Sequence, residues 1–292
     1  MPSSSTVTVV GAGALGAAMA ARLGDAGYGV RLWNRTPGRA RAVAEQATGV
    51  TAVDELARAV SGSSVVITVL RDGDAVAEAM TPVVGELDDG VVWVQASTIG
   101  PGSARTLSAL AREHGVDMLD APVSGSTGPA REGKLVWLVA GDDDAVSRAR
   151  PVLDALGSSV LHVGTGVEGS SLKLVVNAWM TASTVSMSDA LALCDAMGID
   201  HSAFAEALEA GPLAMPYALQ KGRLMDERSF EPGFAVQLAL KDLDLADESA
   251  GLSPLFQVVR DRLGRTVAAG HGGDDLAAVD LLRGADPERG AR

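Results

Sequence analysis

Residues 7–36 read VTVVGAGALGAAMAARLGDAGYGVRLWNRT. An apolar strand breaks into Gly11-Ala12-Gly13-Ala14-Leu15-Gly16, continues as an Ala-rich helix and returns as a second strand that ends at Asn34. Gly11 permits the tight turn, Gly13 lets a pyrophosphate approach the backbone, and Gly16 lets the helix lie close to the sheet, with its N-terminus facing the anion. A GxGxxG alone is weak, and a merely tight strand-to-helix turn is its plain alternative. Here the run follows a strand and opens a helix, which is the full context of a dinucleotide fingerprint.

The end of the second strand reports which dinucleotide is preferred. An acid there would hold ribose hydroxyls and repel a 2′-phosphate. Asn34, Arg35 and Thr36 stand there instead, offering an amide, a guanidinium and a hydroxyl. Arg35 can pair with phosphate and stack on adenine, so NADP(H) is expected over NAD. Arg39 and Arg41 follow; Arg41 reads as a solvated helix edge.

Apolar runs then alternate with helical segments: 65–70 (VVITVL), 91–96 (VVWVQA), 116–120 and 135–140 (LVWLVA). Such alternation predicts an α/β fold, a Rossmann-type doubly wound parallel sheet. Ligands sit at the carboxyl ends of its strands. The segments Leu70-Arg71-Asp72, Ser97-Thr98-Ile99-Gly100-Pro101 and Ala121 onward are therefore candidates, with Thr98 in reach of the nicotinamide region. The alternation stops near Gly164-Thr165-Gly166. That predicts a cofactor domain over 1–164 and an all-helical substrate and oligomerisation domain over 165–292, joined by a long helix.

That helix is expected over Gly166 to Met197, closed by Gly198. At ~1.5 Å per residue it would be about 48 Å long. Lys173 and Asn177 stand four apart and share a face, with Leu172, Val175, Val176, Trp179 and Met180 as apolar surround. Position alone favours a Lys at a solvated edge. Further helices are expected over 202–210, 216–225, 234–249 and 254–269, then a short one after HGGDDLAA (271–278), with a disordered tail from Gly284. Phe234, Leu238, Lys241 and Leu245 are spaced as one stripe, which turns Lys241 inward. An unpaired buried Lys would cost several kcal/mol, so a functional role gains weight. The Gly211–Tyr217 break fits a pocket wall or an interhelical linker equally well.

With 292 residues, two domains are expected; 47% hydrophobic but 3% aromatic residues imply a core of Ala, Val and Leu. A net charge of −13 argues against a nucleic-acid surface. No apolar run approaches the ~20 residues of a membrane span, and MPSSST lacks the features of a signal peptide, so a cytoplasmic protein is expected. Cys194 reads as a buried thiol. His114, His162, His201 and His271 show no ligand spacing, and no metal is expected.

Residues 120–133, DAPVSGSTGPAREG, form an unusual loop. Pro122 stiffens it, Gly125 and Gly128 free the backbone, and the amides of Ser124, Gly125 and Ser126 could converge on an anion. With this loop the chain resembles the β-hydroxyacid dehydrogenases, which include 3-hydroxyisobutyrate dehydrogenase, tartronate semialdehyde reductase and glyoxylate/succinic semialdehyde reductase. Four signatures match in order across essentially the whole chain: Gly11-x-Gly13-x-x-Gly16, the 120–125 loop, Gly169-x-x-x-Lys173-x-x-x-Asn177, and Lys241-Asp242-Leu243-x-Leu245-Ala246.

The resemblance implies that Ser124 and Gly125 hold a substrate carboxylate, that Lys173 is the acid/base and Asn177 orients the substrate. It also implies that Thr98 and Lys241 lie near the nicotinamide, that Asp242 steadies this region by pairing, and that homodimers or homotetramers form through the helices. Ser126 stands where many members have a second Gly, as does Arg71 where relatives often have Pro. The Ser-Gly-Ser and Pro129-Ala130 pattern is closer to the glyoxylate/succinic semialdehyde reductase branch. Imine reductases share the architecture but generally replace the lysine that Lys173 retains, which favours carbonyl and alcohol chemistry. An imine reductase or alcohol dehydrogenase on this fold, and a non-catalytic NADP-sensing protein, are the alternatives.

Overall fold

The computed structural model describes residues 6–283; the tail expected to be disordered from Gly284 lies outside the described residues. Two compact units divide at Lys173/Leu174.

The first unit alternates β1 (Thr6–Val10), α1 (Ala14–Asp25), β2 (Gly29–Trp33), α2 (Pro37–Ala44), β3 (Val50–Ala52), α3 (Leu56–Val60), β4 (Val65–Thr68), α4 (Gly73–Met80), β5 (Val92–Gln95) and α5 (Gly100–Glu113). It continues with β6 (Asp117–Asp120), β7 (Val123–Ser124), α6 (Thr127–Glu132), β8 (Leu135–Ala140), α7 (Asp143–Leu156), β9 (Gly157–Gly164) and the start of α8 (Glu168–Met197). The strand order is β3-β2-β1-β4-β5-β6-β8-β7, with β9 on β8.

The strands from β3 to β6 pair in parallel, as the alternation predicts. Successive side chains bury on both faces. Val65, Ile67, Val92 and Val94 pack with α1 and α7, whereas Val66 and Trp93 pack with α4 and α5. Strands covered on both sides become continuous apolar runs.

Beyond β6 the sheet departs from a purely parallel one. β8 runs antiparallel to β6 and to β7, because the short link through α6 cannot make the crossover that a parallel neighbour needs. β6 and β7 are one extended run that changes partner. Ala121 N still donates to Gln95 O of β5 (2.9 Å), and from there the run faces β8, where Leu138 N donates to Pro122 O (2.9 Å).

The second unit contains the rest of α8, α9 (His201–Glu209), α10 (Pro216–Asp226), α11 (Val236–Ala250), α12 (Pro254–Thr266) and a 3-10 turn at Leu276–Leu282. Its core gathers Val185, Leu191, Met225, Val236, Leu243, Leu263 and Val279. Asp200 and Asp275 cap the starts of α9 and the last turn by accepting Ser202 N and Ala277 N. Asp275 also pairs with Lys221 at 2.6 Å, both side chains buried.

Along α8 the usual distribution is inverted. Ser170, Lys173, Asn177, Thr181, Thr184 and Ser188 recur at three- and four-residue steps and are all buried. Val175, Trp179, Leu193 and Met197 are exposed, Trp179 to 64%. Val175 and Trp179, expected to surround Lys173, thus face away from it.

Candidate active site

The turn after β1 meets the steric demands of its glycines. A Cβ on Gly11, at φ +119°, would lie 2.2 Å from Val69 O, and one on Gly16 would lie 2.1 Å from Gly11 O. On Gly13 it would meet nothing within 4 Å. The backbone is therefore closed where it touches itself and open at Gly13, the N-cap of α1, which has neither a side-chain cap nor an acid in its first turn. Uncapped N–H groups beside open space fit a dinucleotide pyrophosphate. Ala12, Ala14 and Leu15 complete that turn.

Asn34 braces the turn. Its Oδ1 accepts from Ala12 N (3.0 Å) and its Nδ2 donates to Thr36 O (3.0 Å), so both ends of the amide serve the backbone. Arg35 and Thr36 are exposed. Arg35 pairs with Glu78 at 3.2 Å.

Leu70 and Thr98 follow the adjacent strands β4 and β5. Ser97, named from the sequence only as the start of a candidate segment and given no role there, ties these two strand ends together: its Oγ accepts from Leu70 N (2.9 Å) and donates to Thr68 O (3.2 Å), while its N donates to Gln95 Oε1 (2.8 Å). Thr98 is half-buried. Arg71 is exposed and turned onto Asp72 at 2.6 Å, and Asp72 caps α4.

Ser124 ends β7, and Gly125 follows at φ +127°, where a Cβ would lie 2.8 Å from Leu135 Cδ2. Ser126 is the N-cap of α6 without a side-chain bond. Four residues before Ser124, the carboxylate of Asp120 accepts from Ser170 N (2.7 Å) and Ser170 Oγ (2.5 Å). Burial pushes the Asp120 carboxyl up to about 6; the bonds from Ser170 pull it down and the charge of Glu168 pushes it further up.

Lys173 is 8% exposed and lies one turn beyond Ser170. In the second unit, Asn177 Nδ2 donates to Asp242 Oδ2, and Lys241 Nζ lies 2.9 Å from Asp242 Oδ1. A carboxylate only accepts, so Asp242 turns the amide nitrogen of Asn177 toward itself and Oδ1 away. Asp242 is therefore the hub of Asn177 and Lys241. The inward stripe expected for Lys241 is corrected: α11 begins at Val236, its buried face is Val236, Ala239, Asp242 and Leu243, and Lys241 is half-buried on the shoulder of that face. Among the described residues, no three His, Cys, Asp or Glu side chains are grouped to hold a metal ion, and no helix is long and apolar enough to cross a membrane.

The NAD binding domain of 6-phosphogluconate dehydrogenase, as a family model, matches residues 6–164. The model for NAD-binding of NADP-dependent 3-hydroxyisobutyrate dehydrogenase matches residues 167–282. The chain belongs to the β-hydroxyacid dehydrogenase family. This β-hydroxyacid dehydrogenase is 30% identical over 298 residues to the NAD-dependent L-serine dehydrogenase of Pseudomonas aeruginosa, covering 97% of this chain and 99% of the relative. It is 28% identical over 280 residues to glyoxylate/succinic semialdehyde reductase 1 of Arabidopsis thaliana, covering 94% and 96%. A solved structure of Mycobacterium tuberculosis 3-hydroxyisobutyrate dehydrogenase with L-serine superposes with a TM-score of 0.87 at 28% identity, over 96% of this chain and 99% of that one. These matches support NAD(P)-dependent hydroxyacid dehydrogenase activity.

Proposed function

We propose that this β-hydroxyacid dehydrogenase uses NADPH to reduce a small aldehyde or keto acid, or NADP to oxidise the corresponding β-hydroxy acid, with Lys173 as general acid/base. One observation carries the proposal: Lys173, the lysine of the Gly169-x-x-x-Lys173-x-x-x-Asn177 signature, is 8% exposed on α8 one turn before Asn177, so its ammonium stands within the fold beside the amide that the same signature supplies.

When bound, the nicotinamide supplies or accepts the hydride. In the reducing direction the Lys173 ammonium donates a proton to the carbonyl oxygen as it becomes an alkoxide. In the oxidising direction the neutral amine accepts the hydroxyl proton. Asn177, its amide held by Asp242, orients the substrate, and Lys241 and Thr98 serve the nicotinamide end. Ser124, Gly125 and Ser126 hold the substrate carboxylate through their backbone amides, which the left-handed turn at Gly125 (φ +127°) presents. Gly11 to Gly16 take the pyrophosphate, with Leu70 and Arg71 flanking and Arg35 on the 2′-phosphate. L-serine, named with two of the relatives, is itself a β-hydroxy acid, which suits such a site.

The outward Val175, Trp179, Leu193 and Met197 support a homodimer or homotetramer formed through the helical domain, since large apolar side chains left exposed along one helix favour an interface.

Lys173→Ala should lower turnover by about 10²- to 10⁴-fold while NADPH binding, followed by fluorescence, persists. Near-normal turnover would overturn the assignment. Oxidation of NADPH with glyoxylate, succinic semialdehyde, tartronate semialdehyde and methylmalonate semialdehyde tests the substrate class; activity on none would remove it.

A further inference from the structure

The first turn of α8 is held in an unusual way. A helix begins with N–H groups that have no internal partner, and a Ser, Thr, Asp or Asn just before it normally accepts one of them. Here the preceding residue is Val167, whose side chain cannot accept. Its carbonyl begins the helix by accepting from Ser171 N. The N–H of Ser170 goes instead to Asp120, fifty residues earlier at the end of β6, and the Ser170 hydroxyl goes to the other oxygen of the same carboxylate. Two bonds to one rigid group fix both the axial position and the rotation of that turn.

A second observation, independent of these bonds, places the same turn against the sheet. A Cβ on Gly169 would lie 2.4 Å from the carbonyl oxygens of both Asp120 and Leu138. Only a glycine lets the helix backbone approach the strand ends this closely. Asp120 is itself held from both sides, opposite Gln95 of β5 and Ala140 of β8. Lys173 follows Ser170 by three residues and shares its face.

We infer that Asp120 is the positioning residue for Lys173: its carboxylate, accepting twice from Ser170, locks the first turn of α8 to the point where the β6–β7 run changes partner from β5 to β8 and so fixes where the Lys173 ammonium stands. The inference rests on Lys173 being the acid/base. The charge at Asp120 is held at 1% exposure. Glu168 of α8 is a charged neighbour of this carboxylate, while β5 and β8 place Gln95 and Ala140 opposite it.

The experiment is a double-mutant cycle on the full chain with Asp120→Ala, Lys173→Ala and both together, and with Asp120→Asn and Ser170→Ala beside them. Asp120→Ala should lower kcat about 10- to 100-fold, as expected for a reacting group displaced by an ångström, with KM for NADPH changed less than about threefold. Asp120→Asn should recover most of that loss, because its oxygen still accepts from Ser170 N and its amide can donate to Ser170 Oγ. In the Lys173→Ala background, Asp120→Ala should have little further effect, since coupled residues are not additive. Multiplicative losses would overturn the inference while leaving Lys173 in its role. Near-normal turnover of Lys173→Ala would overturn both. Should Asp120→Ala fail to fold, Ser170→Ala carries the same cycle, and full kcat in that variant overturns the inference.

Discussion

At the scale of single residues, charge placement makes the sharpest predictions. Arg35 is exposed and pairs with Glu78 at 3.2 Å, and an exposed pair of this kind is worth little, so the guanidinium is readily exchanged for a phosphate. Arg35→Ala should raise the Michaelis constant for NADPH about tenfold or more while leaving that for NADH nearly unchanged, as expected for the loss of a charged hydrogen bond. A parallel rise for both would remove Arg35 from the 2′-phosphate. Asp120 predicts a pH dependence of stability. Its folded pKa of about 6 lies above the ordinary 3.8 of an aspartate, so between these values the folded state binds more protons than the unfolded one. Stability therefore falls as pH rises through about 6, by at most on the order of 3 kcal/mol from this group. Denaturant titrations at pH 5 and pH 8 should show Asp120→Asn gaining relative to wild type at the higher pH; equal differences at both would contradict this. That Lys173 and Asn177 share a face is legible in the sequence from helix periodicity alone, but not that this face is buried, since position alone favours a solvated lysine; their proposed roles come from the resemblance. The cap by Asp120 is not legible that way, because nothing local links residues 120 and 170. For Lys241 the buried stripe runs through Val236, Ala239, Asp242 and Leu243, one position along from the stripe expected, because the buried Asp242 takes the place in the core that apolar spacing alone would give to a hydrophobic residue.

At the scale of elements, the glycine turn separates folding from binding. Gly16→Ala would drive a Cβ to 2.1 Å from Gly11 O, a clash between backbone segments that should lower stability by about 1–3 kcal/mol. Gly13→Ala meets nothing within 4 Å at an ordinary φ of −70°. It should melt like wild type yet bind NADPH about tenfold or more weakly, because the new methyl takes the space that a pyrophosphate would use. Calorimetry and fluorescence titration of the two variants check the contrast, and equal effects on both properties would contradict it. The central strands were legible because strands buried on both faces leave unbroken apolar runs, as in 65–70 and 135–140. β3 spans three residues, β7 spans two, and β9 is nowhere fully buried, so none of them carries such a run. The antiparallel turn at β8 depends on the length of a link, which periodicity does not measure.

At the scale of the whole molecule, the chain builds its interior from small aliphatic residues and leaves Trp179, one of four tryptophans, with Val175, Leu193 and Met197 on an outward face. Leu255 and Val258 of α12 are exposed as well. Such a concentration of apolar surface fits self-association. Light scattering should give a mass of at least two chains, and Trp179→Glu should shift it toward one. A monomeric wild type would contradict the proposed assembly.

The polar stripe buried along α8 has one more consequence. Within the second unit, Asn177 meets Asp242 and, three turns later, Ser188 meets Asp280 at 2.8 Å. Leucines would let a helix slide in its groove and repack, since one apolar contact replaces another. These groups do not interchange: a slip of one turn would strand an amide and a hydroxyl away from their acceptors, at about 1–3 kcal/mol each. The helix behaves as a key cut for a single lock, and proofreads its own seating as the chain folds.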